Sequence, residues 1–332
     1  MAVRAGHSHS IRCGVIGVGV HGLHHVRLLS SSESAVFTAI YDTDRDISNR
    51  VAEDYGVTAY TSLEELLEQV DCVTVAVPTT EHYKVVRTCF SMGKSVLVEK
   101  PIATTVYEAD RMIGEAKERG FILAVGHIER FNSAYRSAAA NNISPLFIES
   151  HRLAVFNPRG TDVAVVLDLM IHDIDIVLDM VQRPVVSVSA SGVAVVSDEV
   201  DIANARLEFE GGCVANLTAS RISQKKMRKI RTFQKNSYIS MDFLAGESEV
   251  FSLNPDENPI ADAGTPPQLI EGISYSKFPN DGLNALELEI ADFINAVESG
   301  SEPQVTGSDG RKALETASMV MESIESSMRR FE

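Results

Sequence analysis

An apolar stretch over 11–16 runs straight into Gly17-Val-Gly19-Val-His21-Gly22, and a helical pattern follows to residue 30. Three glycines at this spacing restrict the fold more than any other feature of the chain. The first permits a tight turn, the second lets the backbone approach a pyrophosphate, and the third lets helix and strand pack closely. Such a motif is weak evidence alone. Here it follows a strand, opens a helix, and is succeeded by a strand over 35–41 that ends in Asp42, which is the context a dinucleotide site requires. Asp42 can accept from both hydroxyls of an adenosine ribose and repels a 2′-phosphate. NAD is therefore expected rather than NADP, although Arg45 softens that repulsion.

The rest of the first half repeats the rhythm. Helical patterns over 46–55, 62–69, 82–92 and 104–119 alternate with apolar strands over 72–77, 95–98 and 121–125. Strands that are apolar on both faces belong to a parallel sheet covered by helices. Beyond residue 126 the pattern changes. Strands are expected over 146–156, 185–196, 203–210, 214–220, 230–233 and 237–243, with one long helix over 163–181 and closing helices over 286–297 and 310–328. Glu210-Gly211-Gly212 reads as a hairpin turn. The expected class is α/β. It comprises an N-terminal Rossmann domain with a doubly wound parallel sheet over 1–125, and a C-terminal α+β domain with an antiparallel sheet over 126–332.

Composition limits what such a chain can do. With 332 residues and 44% hydrophobic side chains it has ample material for packed cores, and its net charge of −16 argues against nucleic-acid partners. The four cysteines show no metal spacing, no apolar run reaches transmembrane length, and residues 1–10 contain no signal-peptide core. A soluble cytoplasmic protein with no membrane partner and no metal is expected.

Catalytic candidates come from both halves. Val96-Leu-Val-Glu99-Lys100-Pro101 places a lysine just past the carboxyl end of a strand, where open α/β sheets bind ligands. Pro101 holds it extended. Beside a cationic nicotinamide ring its pKa should fall, which suits proton exchange with a substrate hydroxyl. Thr79 and His82 follow the strand over 72–77 and so fall near the cofactor, though His82 reads equally well as a first-turn helix residue. In the second half Asp168, His172, Asp175 and Asp179 fall on one stripe at about 100° per residue. A polar stripe on so apolar a helix faces water, a partner or a site. Asp168 and His172, one turn apart, can share a cavity, with the carboxylate orienting the imidazole.

On these residues the chain resembles the glucose–fructose oxidoreductase / inositol dehydrogenase / MocA family. The resemblance rests on the glycine motif, Tyr41-Asp42, Glu99-Lys100-Pro101, Gly126-His127-Ile-Glu-Arg130-Phe-Asn132, and Asp168 with His172, and it covers nearly the whole chain. It implies a large open antiparallel sheet that forms homodimers or homotetramers. It also implies a catalytic group of Lys100, Asp168 and His172, and Glu99 beside the nicotinamide ribose. On it we place His21 with the cofactor glycines, and His127, Arg130 and Asn132 with the substrate. One departure is the absence of glycines from Asp162-Val-Ala-Val-Val-Leu167, ahead of the Asp-x-x-x-His motif.

The basic run Arg221-Ile-Ser-Gln-Lys225-Lys226-Met-Arg228-Lys229-Ile-Arg231 stands out in so acidic a chain. It is either a solvated loop or a counter-charge for a nucleotide diphosphate, to which Arg152 and Arg159 would add. Residues 151–231 also resemble the UDP-N-acetylglucosamine 3-dehydrogenases of that family, which implies oxidation at C3 of a nucleotide-linked sugar in a diamino-sugar lipid A or cell-surface polysaccharide pathway. Two other readings stand beside it: an inositol, polyol or free-sugar dehydrogenase, and a non-catalytic NAD-binding regulator.

Overall fold

The computed structural model describes residues 10–141, 143–157, 163–253 and 273–329. Arg159 lies outside the described residues. The described chain divides into two compact units. One runs up to His127 and takes in Leu286–Arg311; the other holds Ile128–Ala285 and the chain from Lys312 onward. A single boundary at 125/126 assigns Leu286–Arg311 to the second domain, whereas the chain returns to the first unit there. The reason is apolar: Ile290, Phe293 and Ile294 of a helix over Ala285–Ser299 join the first unit's core, with Cys13, Val26 and Leu97.

In the first unit six parallel strands are ordered β3-β2-β1-β4-β5-β6. They are β1 Arg12–Ile16, β2 Val36–Tyr41, β3 Thr58–Ala59, β4 Cys72–Val75, β5 Ser95–Glu99 and β6 Leu123–Gly126. The interposed helices are α1 Val20–Ser30, α2 Arg45–Tyr55, α3 Leu63–Gln69, α4 Thr79–Ser91 and α5 Val106–Arg119. Local chemistry sets their ends. Asp44 caps α2 by accepting from the N–H groups of Asp46 and Ile47, and Thr105 with Glu108 forms a capping box on α5. Gly56 and Gly120 close α2 and α5 in the left-handed conformation. Strand order reverses between β1 and β4, the point at which such sheets bind ligands.

In the second unit α6 Ser133–Ala139 and α7 Ile171–Val181 accompany an eight-stranded sheet ordered β14-β13-β12-β11-β7-β10-β9-β8. The strands are β7 Phe147–Leu153, β8 Val185–Val193, β9 Ile202–Phe209, β10 Val214–Ser220, β11 Met227–Gln234, β12 Ser237–Asp242, β13 Glu247–Leu253 and β14 Ile273–Phe278. All neighbours are antiparallel except β7 and β10, which run parallel. One face is buried with α6, α7 and the last helix, α9 Gly307–Met328 (α8 being Ala285–Ser299); Ile148, Leu207, Leu217, Ile230, Ile239, Ile174 and Val320 meet there. The helix expected over 163–181 is helical from Val165, but Val166–Met170 is a π turn before α7 begins. The basic run is not one loop, because its second half is β11.

Candidate active site

In the first unit the glycine loop has the geometry of a dinucleotide cradle. Gly17 sits at φ +84, and a Cβ there would stand 2.7 Å from the Ala76 carbonyl oxygen. A Cβ on Gly22 would stand 1.8 Å from the Gly17 oxygen. These two glycines are demanded by the protein itself. Gly19 is not: nothing lies within 4 Å of a Cβ built on it, so the space over the loop is open to a ligand. A cavity of about 690 Å³ is lined by Gly17, Gly19, Tyr41, Asp42, Val77 and Pro78, among others. Asp42 closes the loop, since one carboxylate oxygen accepts from the Val18 N–H at 2.8 Å and the other from the Asp44 N–H at 2.9 Å. The residues present thus fit a dinucleotide. His21 lies exposed one position beyond the start of α1, and Thr79 opens α4 behind Pro78.

His82 is buried, with Nδ1 2.9 Å from the Pro101 carbonyl oxygen and Nε2 3.0 Å from that of Val77. Burial pushes its pKa down, against the pull of the two carbonyls. Its ring ties the end of the β4 segment to the Glu99-Lys100-Pro101 turn. Glu99 is half-buried at the end of β5, accepting from the Lys100 N–H at 3.2 Å, with Nε2 of His25 2.9 Å from its other oxygen. Burial alone would raise the Glu99 carboxyl, but the bond to His25 and the charges of His25, Lys100 and His21 hold it at about 2. Lys100 is half-buried, and its bond to Pro101 is cis. His127, the last residue of this unit, is 1% exposed.

In the second unit Asp168 lies in the π turn and His172 is the second residue of α7, both half-buried. π turns recur at functional sites, and this one alters the helical register between the two residues. The acidic stripe beyond them turns inward. Asp175 is 1% exposed and takes both Nε and Nη2 of Arg130, at 2.6 and 2.9 Å, while Nη1 of Arg130 reaches Asp179 at 2.7 Å. Tyr135 donates its hydroxyl to Asp179, which together with burial holds its pKa well above the usual phenol value.

Asp173, which the periodicity left off the stripe, is 3% exposed and accepts from Arg152 at 2.6 and 2.8 Å and from the Ser150 hydroxyl at 2.6 Å. Arg152 also donates to Glu129 at 2.8 Å. Its counter-charges are therefore internal, and it clamps α7 to β7 rather than adding charge for a ligand. Asn132 caps α6 through the Ala134 N–H and donates to Glu129 and to the Phe243 carbonyl. The side chains placed with substrate as Arg130 and Asn132 are thus engaged by the protein. Lys225 and Lys226 are exposed, whereas Arg228, Lys229 and Arg231 pair with Glu129, Asp242 and Glu149 at 3.4, 3.0 and 2.9 Å. Arg221 is buried and donates to the Val163 carbonyl at the start of the segment leading to Asp168.

Sequence reasoning missed His25 and Glu129 as site-building residues. A faint signal existed for Arg152: in the alternation of β7 it occupies the same face as Ile148 and Ser150, and a charge on a buried face implies a buried partner.

Comparison with known proteins agrees with this geometry. A model described as an oxidoreductase family with an NAD-binding Rossmann fold matches residues 11–127, and a Gfo/Idh/MocA C-terminal domain model matches 124–235. The chain belongs to the Gfo/Idh/MocA oxidoreductase family. A UDP-N-acetylglucosamine 3-dehydrogenase of Acidithiobacillus ferrooxidans is 34% identical over 96% of this chain and 99% of its own. A solved structure of that enzyme superposes with a TM-score of 0.88 over 96% of this chain and 98% of that one. A myo-inositol 2-dehydrogenase of Thermotoga maritima is 29% identical over 92% and 93% of the two chains. As a family member the protein is an NAD(P)-dependent dehydrogenase acting on a CH–OH group. No helix among the described residues is long and apolar enough to cross a membrane.

Proposed function

We propose that the protein oxidises a hydroxyl of a nucleotide-linked sugar to a ketone, at C3 of UDP-N-acetylglucosamine, as a step toward a diamino-sugar lipid A or a cell-surface polysaccharide. The observation that carries this reading is the 34% identity to a dehydrogenase of that substrate, sustained over 96% of the chain. NAD rather than NADP is the partner, because Asp42 places a carboxylate at the end of β2 beside the glycine loop. NAD, when bound, supplies the hydride acceptor.

The chain's own residues supply the rest. Glu99 accepts from the nicotinamide ribose. His172 takes the proton from the sugar hydroxyl, Asp168 orients its imidazole, and Lys100 stabilises the developing alkoxide; the exchange of those two proton roles between Lys100 and His172 gives the same stoichiometry. Exposed Lys225 and Lys226 supply counter-charge for the diphosphate. His21, Thr79 and His82 belong with the cofactor loop. His127, Arg130 and Asn132 support the substrate side, the last two from behind through the contacts described above. A homodimer or homotetramer in the cytoplasm, formed through the open sheet, completes the reading.

The test is incubation of the purified protein with NAD and UDP-N-acetylglucosamine, with 2-oxoglutarate in a parallel sample, followed by mass spectrometry. A sugar nucleotide lighter by two hydrogens supports the reading. The likeness to inositol dehydrogenases favours one rival: oxidation of inositol or a free sugar, indifferent to loss of Lys225 and Lys226, would replace it.

A further inference from the structure

A carboxylate drawn partly out of water needs donors, and Glu99 has two. One is the backbone N–H of Lys100, on Oε2 at 3.2 Å. The other comes from a different element: Nε2 of His25, on α1, lies 2.9 Å from Oε1 across 74 residues of sequence. The carboxylate only accepts, so Nε2 carries the proton. Its other nitrogen, Nδ1, is buried with no hydrogen-bond partner among the described residues. An imidazole that leaves one nitrogen unsatisfied in the interior is a costly way to fill a helix face. What it gains in return is the bond to Glu99.

The carboxylate is confined on its other side as well. Gly126 pairs with Glu99 across β5 and β6, and a Cβ there would stand 2.9 Å from Oε2. Glu99 is thus held between α1, β6 and its own backbone. The ionisable groups that act on it are His21 and His25 of α1 and Lys100 of its own turn, while His82 of α4 feels it in return.

We propose that His25 is a positioning residue that holds the Glu99 carboxylate, charged and in one rotamer, to receive the hydroxyls of the nicotinamide ribose. It thereby links the helix that follows the glycine loop to the turn bearing Lys100. This rests on the reading of Glu99 as the ribose acceptor. Without the imidazole donor, burial drives the carboxyl to take up a proton at higher pH, and a protonated Glu99 is a poorer acceptor.

The experiment is NADH binding, followed by its fluorescence from acidic to neutral pH, for the unmodified protein, His25→Leu and His25→Gln, with thermal midpoints alongside. The Gln amide can donate from near the position of Nε2; Leu cannot. His25→Leu should weaken NADH binding about tenfold at neutral pH, ~1.4 kcal/mol, and move the acid limb of binding upward. His25→Gln should restore affinity and limb together. A merely structural histidine would lower the midpoint in both variants and leave the limb in place, and that result overturns the proposal. If His25→Leu does not fold, a folded His25→Gln with displaced limb or lost affinity overturns it equally. Failure of the unmodified protein to bind NADH would remove the reading of Glu99 along with the role of His25.

Discussion

At Asp42 a single carboxylate holds two backbone N–H groups, from Val18 and Asp44, and fronts the cavity over the glycine loop. In the proposed function its charge excludes a 2′-phosphate. Asp42→Ala should therefore lower the ratio of NADH to NADPH affinity by about tenfold, near 1.4 kcal/mol, and an unchanged ratio in paired titrations would move cofactor choice elsewhere. In the proposed function Lys100 belongs to the chemistry instead. Lys100→Met should cut turnover by a factor of roughly 10² or more with NADH affinity kept; full turnover would remove it from the catalytic group. Glu99 adds a pH dependence. Its folded pKa of about 2 lies below the ordinary 4.5, so its contribution to stability is complete above about 4.5 and is lost as pH falls through about 2. The gap in thermal midpoint between the unmodified protein and Glu99→Gln should accordingly close on acidification, and a gap constant with pH would contradict the ionised carboxylate. Gly17, Gly22 and Asp42 were legible in sequence because they stand at fixed places in one contiguous pattern of strand, glycine loop, helix and strand. The contacts of His25 and Arg152 were not, because Glu99 lies 74 residues beyond His25, and Asp173 and Glu129 lie 21 residues after and 23 before Arg152, on elements that no local pattern connects.

The glycine loop separates two demands that the motif writes in the same letter. Gly22→Ala puts a methyl 1.8 Å from the Gly17 oxygen, so α1 must move off β1. Gly19→Ala meets no protein atom within 4 Å. The first should cost several kcal/mol of stability, on the order of other overpacked interiors at about 1–3 or more. The second should change stability by less than about 0.5 kcal/mol yet weaken NADH binding. Denaturant midpoints beside NADH titrations distinguish them; equal stability losses would mean that the loop's openness is not for a ligand. At this scale apolar rhythm identified all the longer elements of the first unit, since parallel strands buried on both faces advertise themselves. It failed for β13 and β14, whose sequences Glu247–Leu253 and Ile273–Phe278 mix Ser, Glu and Lys into a sheet with one open face. It found only 230–233 of β11, where basic residues masked the start of a strand whose charges pair with Asp242 and Glu149 across the sheet. The π turn at Val166–Met170 left no trace in a periodicity that assumes 3.6 residues per turn.

For the molecule as a whole, the open face of the second unit's sheet sets the next expectation. Phe147, Phe233, Tyr238, Phe251 and Tyr275 sit directly opposite one another across β7, β11, β12, β13 and β14. Their rings follow at centroid spacings of 5.9, 5.1, 5.7 and 4.8 Å. The strip lies on the face opposite the buried Ile148, Thr232 and Ile239, and Phe233 is 37% exposed. Cross-strand aromatic pairs of this kind stabilise a sheet by roughly 0.2–1 kcal/mol each, but a contiguous aromatic strip that is only half-buried invites association. The chain's net charge of −16 opposes indiscriminate sticking. Around the strip, Arg231 with Glu149 and Lys277 with Glu247 form local ion pairs, a rim that a second copy of the same face can meet without uncompensated charge. Two copies stacked through this face would remove the strip from water, in keeping with the proposed oligomer. Light scattering should then give a mass that is a multiple of 36.1 kDa, and Phe233→Lys combined with Phe251→Lys should reduce it toward that of one chain while NADH binding persists in the first unit. A monomer before any substitution, or an oligomer indifferent to both lysines, would place assembly on another surface and leave the aromatic strip as reinforcement of the sheet alone.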